Sequence, residues 1–130
     1  MDAPSFTRND GKDLIPARTY AAYGDMLKPG LTPEWEHHCQ PFSAPAAWWQ
    51  GLDGVYARAL FTAGENECPL DHVIETSTVI SNYVQDTVTV VESGALHEEV
   101  IIKFGTGKGG FGKDYDTIVG FLSRSFSGGI

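Results

Sequence analysis

Residues 87–92, TVTVVE, put five β-branched side chains into six positions. Such a run is crowded in a helix and packs well on a pleated sheet. A strand there needs a partner, and Val100, Ile101, Ile102 and Phe104 form the nearest apolar run, bounded by Glu98–Glu99 and Gly105. Ser93–His97 between them contains Gly94 and has the length of a hairpin connection. Upstream, 73–84 alternates, with Ile74, Thr76, Thr78, Ile80, Asn82 and Val84 on one face, which predicts a half-buried strand.

Helical spacing dominates elsewhere. Trp48, Leu52, Val55, Tyr56, Ala59 and Leu60 predict a helix over 43–61, with Ser43 as N-cap, Pro45 in the first turn and Gly64 beyond its end. Pro16 opens a shorter helix over 16–27, closed by Pro29–Gly30. Pro29, Pro33, Pro41 and Pro45 make 28–45 mainly loop, with one helical turn at 33–39. Tyr115, Ile118, Val119, Leu122 and Phe126 predict a helix over 114–126 capped by Asp114, with a terminal strand over 117–121 as the rival. The expected fold is therefore α+β, N-terminal helices packed on a mainly antiparallel sheet of three or more strands. Residues 1–13 read as a mobile N-terminal arm, 14–126 as one domain and 127–130 as a loose tail.

The chain has 130 residues and a net charge of −8. Residues 31–100 hold eleven acids and one base, Arg58, whereas residues 101–130 hold two acids and four bases. An acidic middle opposes phosphate binding, so nucleic acid is not an expected partner. It favours a basic protein partner, or self-association through Lys103, Lys108 and Lys113 of another copy. No apolar run reaches the length of a membrane span, and 1–10 lacks the apolar core of a secretory signal. The expected setting is soluble, in the cytoplasm or on a virion.

Three chemistries compete. Gly107–Lys113, GKGGFGK, has phosphate-loop spacing. Asp114 follows it where a magnesium-binding hydroxyl belongs, and the 17 residues beyond Lys113 are too few for a nucleotide-binding sheet. The loop is therefore read as a basic, glycine-rich contact surface. His37, Cys39, Cys68 and His72 include the types and number of ligands that tetrahedral zinc takes, but in no standard spacing, so no cofactor is expected and zinc is the exception to test. Cys39 with His72 or His97 as base is a thiol-enzyme alternative. Trp48 and Trp49 are candidates for lining a ligand pocket. Glu65/Glu67 and Glu98/Glu99 read as solubilising ends of elements.

The function these features favour is a noncatalytic protein-binding or assembly module that uses an acidic surface and a basic loop. One alternative is a small pocket enzyme of lyase, isomerase or hydrolase type, with histidine or carboxylate acid–base chemistry near Trp48/Trp49. The other is a zinc-stabilised domain.

Overall fold

A βαβ unit lies at the centre of the chain. Strand β1 (Arg58–Gly64) pairs in parallel with β2 (Asp86–Glu92), in register from Arg58 opposite Asp86 to Gly64 opposite Glu92. Helix α4 (Leu70–Ser81) is the crossover that a parallel pair requires. The structure, a computed structural model, describes residues 3–107 and 112–127. Before the unit come helices α1 (Pro4–Asn9), α2 (Ala17–Leu27) and α3 (Pro33–Cys39); after it come α5 (Glu99–Thr106) and α6 (Gly112–Ser127).

The expected antiparallel sheet of three or more strands is thus corrected to two parallel strands among the described residues. Three local events account for the change. Gly51 has φ +83°, a left-handed conformation that interrupts the 43–61 helix. Short 3-10 turns at Ala46–Trp49 and Leu52–Gly54 replace that helix, and β1 takes its last residues. Within the 73–84 stretch, residues up to Ser81 are helical, and their hydroxyls are satisfied by carbonyls of their own helix. Ser77 and Thr78 both donate to the Ile74 carbonyl at 2.8 Å, and Ser81 donates to that of Thr78. The 100–104 run is helical too, closed by left-handed Gly107 and braced by Lys103 and Glu99 at 2.7 Å.

Residues 3–13, expected as part of an arm, are tied to the body. Phe6 is buried with Ala3 and Cys68, and Tyr20 of α2 packs edge-on to it. Ser5 donates its hydroxyl to the Cys68 carbonyl at 2.7 Å and its N–H to Asp71. Asn9 donates its amide to the carbonyls of Glu65 and Glu67 at 3.0 and 2.7 Å. Helix α6 lies where its apolar spacing puts a helix, but it begins at Gly112, and Asp114 is not its cap. The Glu92 carboxylate, at the end of β2, accepts the N–H groups of Lys113 and Asp114 instead.

Candidate active site

Both strands end at the same edge of the unit, and two chemically active side chains follow them. Glu67 lies three residues beyond Gly64, the last residue of β1. His97 lies five residues beyond Glu92, the last of β2. His97 Nδ1 is 3.1 Å from Glu67 Oε2, and the other carboxylate oxygen of Glu67 accepts the Gly64 N–H at 2.6 Å. Glu67 is 7% exposed and its ring partner is half-buried. A carboxylate can only accept, so Nδ1 carries a proton, and in the neutral imidazole Nε2 then presents a lone pair. No described residue hydrogen-bonds Nε2.

The surroundings fix this pair. Asp13 is buried and joins the two loops, accepting the Cys68 N–H at 2.7 Å and the His97 N–H at 3.4 Å. Tyr20 meets the imidazole edge-on, its hydroxyl 3.4 Å from Nδ1. Burial, with Asp13 and Glu67 nearby, raises the Tyr20 pKa, so its hydroxyl stays neutral. Glu98, directly after His97, has φ +54°, the one positive φ among described non-glycine residues. This left-handed turn sends the chain into α5, at a cost of order 1 kcal/mol for a side-chain-bearing residue. A cleft of about 250 Å³ opens against Glu67, His97, Glu98, Glu99 and Asp114. Lys103 and the Leu96 N–H hold the Glu99 carboxyl below its ordinary pKa.

Gly64 makes the closeness possible. A Cβ there would lie 2.5 Å from the Ala95 carbonyl oxygen and 2.9 Å from that of Leu96. The end of β1 and the loop carrying His97 therefore touch backbone to backbone.

The residues singled out from the sequence are dispersed. Lys103 is paired with Glu99 on α5, Lys113 lies in the first turn of α6, and Lys108 is outside the described residues. His37 and Cys39 are two apart on helix α3, which points them to different sides. Cys68 is fully buried, and burial, with Asp13 beside it, pushes its thiol up to about 11. His72 stacks on Phe42 at 4.1 Å and shares a shallow cleft with exposed Cys39. Among the described residues no three potential ligands are grouped to hold a metal ion. Trp48 and Trp49 do line a cleft, together with His37 and His38.

Sequence reasoning passed over Glu67 as a strand-end charge and weighed His97 only as a base for Cys39. The missing signal was the strand character of RALFTAG at 58–64. With that strand recognised, an acid and a histidine each follow a parallel strand. No protein-family model, curated protein or solved structure matches the chain. Among the described residues no helix is long and apolar enough to cross a membrane.

Proposed function

We propose that the chain carries the acid–base half of a hydrolytic site, with His97 as general base and Glu67 as the group that orients it. The 3.1 Å contact between them, at the C-terminal ends of two parallel strands, carries this reading. Open parallel sheets gather ligands at that edge. In the α/β-hydrolase arrangement the triad runs nucleophile, acid, histidine along the chain, and Glu67 and His97 stand in the order of the last two. With its proton held on Nδ1, His97 takes a proton at Nε2 from the hydroxyl or water attacking a carbonyl carbon. It then returns that proton to the leaving group, while ionised Glu67 stabilises the imidazolium. The substrate class is an ester or amide. The attacking group is a water in the isolated chain, or a hydroxyl that another polypeptide brings to Nε2.

Hydrolysis of p-nitrophenyl acetate tests this reading. His97→Gln should lower kcat/KM by about 10²-fold or more, the usual contribution of a positioned base, and Glu67→Gln should lower it less. A wild-type rate no greater than that of free imidazole at equal concentration refutes the reading, as does an unchanged rate in His97→Gln.

The assembly reading has support of a different kind from the one expected. Lys103 is neutralised by Glu99, so the basic patch is weaker than its sequence suggests. The C-terminal helices also expose large apolar groups, with Ile101, Phe104 and Phe126 at 60%, 67% and 85%. Association through these side chains should persist in high salt, since burial of apolar area is not screened. Light scattering at low and high salt separates the two modes. Dissociation at high salt restores the charged loop, and an unchanged monomer mass at both removes self-assembly.

A further inference from the structure

A second cleft, of about 460 Å³, lies beside the N-terminal half of β1, away from the edge that carries Glu67 and His97. His37, Trp48, Trp49, Leu52, Tyr56 and Phe61 are among its walls. This volume is within the range of small-molecule sites, and so is the aromatic lining. Two polar atoms in these walls have no partner among the described residues. Trp49 is 5% exposed and its indole N–H meets no acceptor; His37 Nδ1 is likewise buried and unbonded. Buried donors without acceptors are rare and mark a place for a missing partner. Trp48 lies beside both side chains. Its ring lies edge-on to His37 at 6.1 Å and to Trp49 at 4.7 Å, and the residue is 37% exposed. Both nitrogens are buried, so a ligand that reaches them displaces a neighbouring side chain.

Charge narrows the ligand further. Arg58 also borders the cleft, which disfavours a cation. Its guanidinium is already committed to Asp86 at 2.7 Å and Ser125 at 3.2 Å, and it lies over the Phe121 ring. It therefore offers little to an anion. We propose that this cleft binds a neutral, planar aromatic compound bearing a carbonyl oxygen. The rings stack among Trp48, Tyr56 and Phe61, and the oxygen accepts the Trp49 indole N–H.

Paired probes test the proposal on the intact chain. Tryptophan fluorescence titrations with 2-acetylnaphthalene and its acceptor-free counterpart 2-ethylnaphthalene should give Kd values about fivefold apart, the ketone being tighter, as one hydrogen bond implies. In Trp49→Phe the ketone should lose that advantage while the hydrocarbon keeps its Kd. Trp48→Ala should weaken both. In the wild-type protein the indole N–H resonance of Trp49 should move downfield with the ketone and not with the hydrocarbon, a measurement independent of any variant's folding. Absence of binding by both probes, equal Kd values, or an indole resonance that ignores the ketone would overturn the proposal.

Discussion

Replacing Gly64 with alanine places a methyl group where the chain has no room. The nearest obstacles are backbone atoms: the Ala95 carbonyl oxygen at 2.5 Å, the Ala95 carbonyl carbon at 2.7 Å and the Leu96 oxygen at 2.9 Å. Ordinary contact begins near 3.4 Å, so the 95–96 backbone must retreat by roughly 0.9 Å. Overpacking of this kind costs about 1–3 kcal/mol. The Ala95 carbonyl also accepts the Asn66 N–H at 3.0 Å, and moving it loosens that bond, at about 1 kcal/mol more. The total of about 2–4 kcal/mol corresponds to a fall in Tm of about 10 °C for a domain of this size. The retreat also carries His97 away from Glu67, so esterase activity should fall even at temperatures where the variant is folded. Differential scanning calorimetry, with activity measured well below Tm, reads both effects. A Gly64→Ala protein with unchanged Tm and rate would refute the close approach of the two loops and the site built on it.

Alkylation distinguishes the two thiols. Cys39 is exposed, whereas Cys68 is buried with its pKa raised to about 11, so iodoacetamide at pH 8 should label Cys39 rapidly and Cys68 only on unfolding. Similar rates by mass spectrometry would remove Cys68 from the core. Asp71 links acid stability to the N-terminal helix. Burial raises its pKa, but the Ser5 N–H and Arg8 outweigh burial and hold it below 3.8. A lowered folded pKa gives stability above the unfolded value that is lost as pH falls through the folded one. Asp71→Asn should therefore cost about 1 kcal/mol at pH 7, discounted for the partly exposed Arg8, and progressively less as pH falls through the lowered pKa of the folded state. Urea titrations from pH 7 down into the acid range check this, and a deficit that does not shrink with falling pH would contradict it.

Much of the local structure was legible, and its connectivity was not. The β-branched run at 87–92 is β2, and the apolar stripe from Tyr115 to Phe126 is one face of α6. Helices α2 and α3 lie where proline and glycine bound them. The errors share one cause, which is that short apolar runs carry both helical and strand spacing until a partner selects one. Ala59 and Leu60 extend a helical stripe from Trp48, yet they belong to β1 because β2 pairs with them. Thr76, Thr78 and Ile80 alternate like a strand, yet a parallel pair needs a crossover and they supply it. Once β1 was read as helix, nothing marked Glu67 as the residue after a strand. The pair stayed hidden because its members lie 30 residues apart in sequence and each gains its meaning from a different strand.

The central claim is that Glu67 fixes the proton of neutral His97 on Nδ1 and leaves Nε2 unprotonated. Long-range ¹H–¹⁵N correlation spectra of the uniformly ¹⁵N-labelled protein, recorded with the imidazole in its neutral form, report this directly. The account predicts a protonated Nδ1 with an unprotonated Nε2 in the wild-type protein, and a mixture of tautomers in Glu67→Ala. A wild-type His97 with its proton on Nε2, or a spectrum indifferent to the loss of Glu67, would contradict it.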